Sequence, residues 1–376
     1  MANEFISVKN IARQALPRLI ENLVFPNLIY KDYSDAYEVG KGATVQVRKP
    51  VMLTASDFNE LSGTSAQDVK EKSVEVTLDK LATVDVEFGA IARATSVDDL
   101  NRLFIEPAAA ALAEKINDDG LALYKDIPYF VGTPGTTPSG IGTFADAAKI
   151  LDDNKAPTAL RRGVWDPASI ASYRKAGDLV NVDKSGTTEA LRRGSIGTIF
   201  GIDNYMSQGV KSVASGNITW GGTNASGVKI KTAVTDDDDI ILVSNATASP
   251  TLTGKVNAGD ILVIGGENYI AQADATASSN EIAVALDRNI TVAANAAVVV
   301  KNGGAQNLVF HENAFAFVTR PLAAPAGVES YTTSFNGVSL RVVRGYNMTY
   351  KKEMLSMDVL YGYKTMYPEL AVRVLG

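Results

Sequence analysis

Thr44-Val-Gln-Val-Arg-Lys-Pro-Val-Met-Leu53, then Ser73-Val-Glu-Val-Thr-Leu78 and Thr83-Val-Asp-Val-Glu-Phe88, is the stretch whose reading decides the fold. Both arms alternate apolar and polar residues with period two, the pattern of a half-buried strand. Between them, Ala55 to Lys72 is rich in Ser, Asp, Glu, Gly and Gln and reads as a solvated tip. The pattern predicts an extended β-hairpin over residues 37–91. A two-stranded ribbon of this length cannot bury its apolar face on itself. No compact domain stands beside it in sequence, so the expectation is that it lies on another copy of the chain.

The 376 residues allow two or three folding units at about 150 residues each. A hydrophobic fraction of 46% and a charged fraction of 21% are ordinary globular values. A net charge of −6 argues against a dedicated nucleic-acid binder. With no cysteine there is no disulfide framework, thiolate metal site or thiol nucleophile, which fits a reducing cytoplasm. The N-terminus lacks the blocks of a signal peptide, and no run of 18 apolar residues spans a membrane. Asn217-Ile-Thr219 and Asn289-Ile-Thr291 match the glycosylation pattern and, without a secretory route, read as chance matches.

On the N-terminal side of the hairpin, Val8, Ile11, Ala12, Ala15, Leu19 and Leu23 fall at helical spacing after Ser7. Pro17 interrupts this arm and Pro26 ends it. On the other side, Ser96-Val-Asp-Asp99 resembles a capping box, and a helix is expected to run to about Lys125, bent at Pro107. Residues 131–143 read as a Gly/Pro/Thr loop, followed by a helix near 144–154, a buried strand at Val164-Trp165 and a turn–helix from Asp166 to Tyr173. From Lys211 to Gly303 only Trp220 and Tyr269 are aromatic, and short strand-like runs alternate with turns. That spacing suggests an inserted β-barrel or sandwich. The aromatic-richer style resumes at Asn307 and ends in alternating strands after Val338. The fold class is α+β.

A catalytic site is hard to assemble. The single histidine, His311, is either a lone general base or a strand-face side chain; no cysteine or second histidine completes a dyad or a metal site. Gly40-Lys-Gly-Ala-Thr44 lacks the first glycine of a phosphate loop, and the glycines at 132, 135, 140 and 142 do not form a dinucleotide fingerprint. Asp236, Asp237, Asp238 and Asp239 lack the spacing of a calcium loop. They read as a solvated loop tip or as a contact to Arg or Lys on a neighbouring subunit. Lys41, Arg48 and Lys49 at the hairpin's root are ordinary surface charge or partners for Asp57, Glu60, Asp68 and Glu71 at the tip of an adjacent copy. No catalytic, cofactor or metal residue is assigned.

Three motifs carry a resemblance. Val164-Trp-Asp-Pro-Ala-Ser-Ile-Ala-Ser-Tyr-Arg-Lys-Ala-Gly177 is similar to an aromatic-Asn-Pro stretch followed by Tyr-Lys-Lys-Ala-Gly in the coat proteins of Salmonella podoviruses. Arg192-Arg-Gly-Ser-Ile-Gly-Thr-Ile-Phe-Gly-Ile-Asp203 resembles the Gly-Phe-Asp pattern that precedes those proteins' inserted domain. Val359-Leu-Tyr-Gly-Tyr-Lys-Thr-Met-Tyr-Pro-Glu369 resembles their Leu-Trp-Tyr-Gly-Val…Arg-Pro-Glu ending. The order of parts looks like the coat protein of tailed bacteriophages with the Hong Kong 97-like fold, although the insertion is shorter and its sequence is not similar.

The resemblance implies an N-terminal arm (1–36), an extended loop (37–91), a spine helix and peripheral segment (92–140), an axial domain (141–210 and 306–337), an inserted β-domain (211–305) and peripheral strands (338–376). It implies a structural protein of the virion, forming pentamers and hexamers of an icosahedral capsid in the bacterial cytoplasm. Implied partners are a scaffolding protein, a portal protein, weakly contacted DNA and a decoration protein, with no membrane. The acidic run falls where that family carries a loop between capsomers. Ribbon and N-terminal arm then read as clasps on neighbours. Pro107, Gly132, Gly135, Gly140 and Gly142 are candidate hinges for shell expansion. The rival expectations are an encapsulin-like nanocompartment shell and a β-rich surface-layer protein.

Overall fold

The structure, a computed structural model, describes residues 8–31, 44–48, 73–89, 105–176, 196–214, 218–220, 227–244, 251–301, 303–348 and 352–376. They form two compact units, Met1–Ile116 with Phe315–Met366 and Asn117–Ala314 with Tyr367–Gly376. The elements begin with α1 (Val8–Asn22), β1 (Thr44–Arg48), β2 (Ser73–Thr77), β3 (Lys80–Gly89), α2 (Glu106–Leu121), β4 (Phe130–Gly132), α3 (Gly142–Asp153), β5 (Arg161–Trp165) and α4 (Pro167–Lys175). Then come β6 (Thr198–Ile199), β7 (Ile202–Met206), β8 (Ser212–Val213), β9 (Thr219–Trp220), β10 (Val228–Ile230), β11 (Val234–Ser244), β12 (Leu252–Thr253) and β13 (Lys255–Val256). Next are β14 (Ile261–Ile264), β15 (Glu267–Ile270), β16 (Ala275–Thr276), β17 (Glu281–Val292), β18 (Ala297–Lys301) and β19 (Gly304–His311). The last strands are β20 (Phe315–Arg320), β21 (Glu329–Phe335), β22 (Val338–Asn347), β23 (Lys352–Thr365) and β24 (Ala371–Leu375).

In the first unit β23 is the central strand. It pairs with β3 along one side and with β22 and then β20 along the other, while β21 pairs with the outer edge of β22. Under this sheet Phe25, Phe315, Phe317, Tyr361 and Tyr363 form a tilted aromatic stack, with Phe317 and Tyr363 centroids 4.8 Å apart. The Tyr363 hydroxyl donates to the Ile116 carbonyl at 3.0 Å, so the buried ring keeps its polar end satisfied. Helix α1 packs on β21 and β22 and buries Val8, Ala12, Ala15, Leu16 and Leu19. The N-terminal stripe is therefore covered inside the chain, not on a neighbour as the clasp reading expected. Pro17 lies within α1, and Pro26 opens the single 3-10 turn Phe25–Leu28.

The hairpin differs from the expectation in one respect. β1 and β2 pair antiparallel from Thr44 opposite Thr77 to Arg48 opposite Ser73. Past Asp79 the chain leaves the ribbon, and β3 joins β23 for ten residue pairs. Val76 and Leu78 are buried while Glu75, Thr77 and Asp79 are exposed, so the alternation read from sequence is real. Its apolar side faces the chain's own sheet. Gly362 of β23 permits the approach, because a Cβ there would overlap the Thr77 carbonyl.

The second unit holds a sheet ordered β4, β24, β19, β5, β7, β6, with β8 attached to β19. Helices α3 and α4 supply Phe144, Leu151, Ile170 and Tyr173 to a core completed by Trp165, Ile202, Val309, Val372 and Val374. Phe144, Trp165 and Tyr173 pack ring to ring at 4.6 to 5.1 Å. Asp166 caps α4 by accepting from the Ala168 and Ser169 amides, and Pro167 sits where a missing N–H costs nothing. Asn307 of β19 ties this cap to the sheet, accepting from the Asp166 amide at 2.7 Å and donating to Ser169 Oγ and the Val374 carbonyl.

Segment 306–337 does not stay together. β19 and β24 are buried almost throughout; helices α3 and α4 cover the face that carries Val309, Val372 and Val374, and Arg373 on the other face bonds the Ile127 and Gly259 carbonyls. β20 and β21 instead enter the sheet of β22 and β23. The expected division into 306–337 and 338–376 is replaced by alternation between the two units.

The insertion is closed at its root, where Ser212 and Val213 of β8 pair with Ala305 and Gly304 of β19. Within it, six strands run β15, β14, β18, β10, β11, β17. The outer two meet at a bridge between Ala271 and Leu286, and the Gln272 amide donates to the Ala285 carbonyl at 2.9 Å. The sheet thus curls into a barrel around Val228, Ile230, Leu242, Leu262, Ile282 and Val284. The short ladders β9–β12 and β13–β16 flank it.

One side chain anchors the barrel. Arg373 of β24 is 2% exposed; its Nε donates to the Ile127 carbonyl and its Nη1 to the Gly259 carbonyl, each at 2.7 Å. Gly259 has φ +94° and lies so close to Lys125 that a Cβ would meet Lys125 Cγ at 2.7 Å. Beside it, the buried Asp260 accepts from the Asn257 amide at 2.8 Å. Burial pushes the Asp260 carboxyl up from 3.8 to about 6, against the opposing pull of that amide and of Arg373.

Two outcomes are expected. Residues 211–305 expressed alone should unfold cooperatively by circular dichroism, since their core and closure are local; a disordered spectrum would count against a self-contained barrel. Because the folded carboxyl of Asp260 titrates above the unfolded one, the native state holds the extra proton between about pH 4 and 6, and stability falls as pH rises through that window. Asp260→Asn should match the parent near pH 4 and exceed it at pH 7 by up to about 3 kcal/mol in denaturant melts. Parallel pH profiles would show that burial of this carboxylate costs nothing.

Candidate inter-subunit surface

The residues proposed from sequence as contacts are distributed unevenly. Lys41, Lys49, Asp57, Glu60, Asp68 and Glu71 lie outside the described residues, and of Arg48 only its backbone pairing with Ser73 is described. The ribbon β1–β2 is present as an antiparallel ladder from the Thr44–Thr77 pair to the Arg48–Ser73 pair.

The acidic run lies on strand β11, not on a loop tip. Asp236 has φ +51°, and the register against β17 shifts between Val234 and Asp239. The irregularity is held by side chains: Asn289 Nδ2 donates to the Asp236 carbonyl and to its Oδ1, and the Asp236 amide donates to Thr291 Oγ1 at 3.1 Å. Asp237 Oδ1 accepts from the amides of Asp238 and Asp239. All four carboxylates are exposed on the barrel wall. Carboxylate oxygens of Asp237, Asp238 and Asp239 come within 4.8 Å of one another, which concentrates charge for a cationic partner.

The candidate hinges separate into two kinds. Pro107 is the second residue of α2 as described, and the start of the expected helix, from Ser96, lies outside the described residues, so the bend expected at Pro107 falls at their edge. Gly132, Gly135 and Gly140 all have positive φ, while Gly142 opens α3. Gly132 is also a close-approach position, since a Cβ would meet the Leu375 carbonyl oxygen at 2.6 Å. The other three have open space.

His311 is buried at the end of β19, and its Nδ1 accepts from the Asn313 amide at 3.2 Å. Burial holds its pKa below the usual histidine value, chiefly against the pull of Glu312. The ring caps the 3-10 turn Glu312–Ala314, a structural contact at the strand's end. No helix among the described residues is long and apolar enough to cross a membrane.

Sequence reading missed the β21–β22 hairpin and its exposed apolar groups, Phe335 (69% exposed), Tyr346 (57%) and Met348 (77%). A signal was available. Asn336-Gly337 between alternating runs is a strong hairpin cue, and both residues have positive φ.

No protein-family model matches the chain, and no curated protein matches it. Solved structures do. The chain is similar to a structure from Mycobacterium phage Che8, with a TM-score of 0.56 at 17% identity, covering 94% of this chain and 90% of that one. It is also similar to the capsid structure of the cyanophage P-SCSP1u, with a TM-score of 0.50 at 13% identity, covering 90% and 84%. At such identities the likeness is one of fold: an α+β, Hong Kong 97-like capsid fold carrying a barrel-like sheet.

Gly132→Ala should lower stability by about 1–3 kcal/mol, through a strained backbone and the contact with Leu375. Gly142→Ala should stay within about 0.5 kcal/mol of the parent. Chemical denaturation of both variants checks the contrast, and equal midpoints would remove Gly132 from its packing role.

Proposed function

We propose that the chain is a major capsid protein whose copies close into an icosahedral shell around phage double-stranded DNA. The observation that carries this reading is the extent of the likeness, since a capsid structure covers nine-tenths of the chain. Two further features support it. Strands β1 and β2 form a separate two-stranded ribbon, and the barrel presents a row of exposed carboxylates whose backbone Asn289 and Thr291 hold in place. In this reading pentamers and hexamers form with a scaffolding protein, take a portal protein at one vertex, and expand as DNA is packaged. Assembly takes place in the bacterial cytoplasm.

The barrel is the counterpart of the inserted domain of Salmonella podovirus coat proteins, and Asp236 to Asp239 contact basic groups on a neighbouring capsomer. Lys41, Arg48 and Lys49 serve the same purpose at the ribbon's root, facing Asp57, Glu60, Asp68 and Glu71 of an adjacent copy. Each exposed pair contributes only about 0–1 kcal/mol, but symmetry repeats it over the shell. DNA is held weakly, because the chain's net charge of −6 disfavours tight phosphate contacts. The role is structural, with the residues acting through shape and charge.

Expression with and without the phage's scaffolding gene, followed by electron microscopy, is the test. Closed shells with pentameric vertices are expected, and a stable monomer under both conditions would overturn the reading. Shells enclosing an enzyme instead of DNA would point to a nanocompartment. Asp238→Lys with Asp239→Lys spares the hydrogen bonds of Asp236 and Asp237. The double variant should fold normally yet yield shells that dissociate at lower denaturant; unchanged shells would remove the acidic run from the contact.

A further inference from the structure

The edges of the sheets differ in how they are protected. β4 and β6 are three and two residues long, the barrel is closed on itself, and β3 carries Lys80, Asp85 and Glu87 along its length. Short, closed or charged edges resist pairing with other chains. β21 has none of these features. Its sequence, Glu-Ser-Tyr-Thr-Thr-Ser-Phe, contains no proline or lysine, and its one charge, Glu329, lies at the end and faces Arg344 at 3.9 Å.

The register fixes which backbone groups face outward. Phe335 and Val338 close a two-residue turn through Asn336 and Gly337, so Phe335, Thr333, Tyr331 and Glu329 bond to β22. Ser330, Thr332 and Ser334 direct their amides and carbonyls away from it. Among the described residues, none outside β22 bonds these six groups.

We propose that two copies of the chain join their β21 strands antiparallel about a two-fold axis at Thr332, merging two five-stranded sheets into one. The proposal rests on the reading of the chain as a self-assembling shell protein. The strand is suited to meeting itself. Ser330 falls opposite Ser334, Tyr331 opposite Thr333 and Thr332 opposite Thr332 of the other copy, so all six outward groups bond at once. Glu329 falls opposite Phe335, so no like charges meet, and Thr–Thr and aromatic–β-branched pairs are favourable cross-strand neighbours. The contact is isologous, as a two-fold requires.

The absence of cysteine makes the register directly testable. Thr332→Cys should give a disulfide-linked dimer on mild oxidation, because a hydrogen-bonded antiparallel pair sets Cα atoms about 5.5 Å apart, inside the disulfide range. Glu329→Cys or Phe335→Cys alone should not, since each is roughly 20 Å from its own copy. A mixture of those two variants should cross-link, which tests the same register without altering Thr332. Adding Ser330→Lys with Ser334→Lys should cut the Thr332→Cys dimer at least tenfold, and Ser330→Lys with Ser334→Glu should restore it.

Electron microscopy of the same samples reports shells independently. Shells without the dimer, or equal cross-linking at position 329, would overturn strand pairing while leaving the shell reading intact. The dimer without shells would uphold pairing and overturn the shell. Slow hydrogen exchange at Ser330, Thr332 and Ser334 in the monomer would show the edge covered within the chain and end the proposal.

Discussion

The pairing of β3 with β23 is the constraint on which the first unit depends. Ten residues beginning at Lys80 lie against ten beginning at Lys352, so the sheet cannot exist until the chain has closed a loop of more than 260 residues, from Gly89 to Lys352. Everything else in that unit is arranged on β23. β22 and β20 occupy its other side, α1 covers β21 and β22, and Tyr361 and Tyr363 take the aromatic stack from the same strand. Such distant pairings cost loop entropy before they return any contact energy. By contrast the barrel draws all its strands from one continuous segment.

How much was legible follows from this. Local patterns were readable: the alternation at Val74 to Glu87, the turn–helix from Asp166, the stripe of α1 and a barrel-like inserted sheet all reappear in the structure. What failed was the assignment of partners. The stripe of α1 gives no indication of whose surface covers it, and a half-buried arm looks the same whether it lies on its own sheet or a neighbour's. Strand order was equally hidden, because β19 and β20 are separated by only three residues yet enter different units. The acidic run shows the same limit. Four consecutive aspartates suggest a loop, but Asn289 and Thr291 stabilise an irregular strand there from 53 and 55 residues away.

The motif that carried the resemblance turns out to be architectural. Trp165 donates its indole N–H to Asn204 Oδ1, Asp166 caps a helix, and Tyr173 packs against Trp165 and Phe144. These residues orient α4 on the sheet and have no chemistry to perform. A fold can therefore be recognised through such a motif while the surfaces that meet other copies vary freely. The likeness to solved structures at 17% and 13% identity is one of fold.

The alternation between units has a consequence for synthesis on the ribosome. The chain passes from one unit to the other at 116, 314 and 366, and β24 enters last, between β4 and β19. Neither large sheet can complete itself on a nascent chain before the final strands emerge. The barrel can, because its last strand ends at Lys301. A growing polypeptide would then carry a finished barrel while β3 waits for β23, so the vulnerable interval is set by elongation speed and by whatever protects that strand until Thr365 is free.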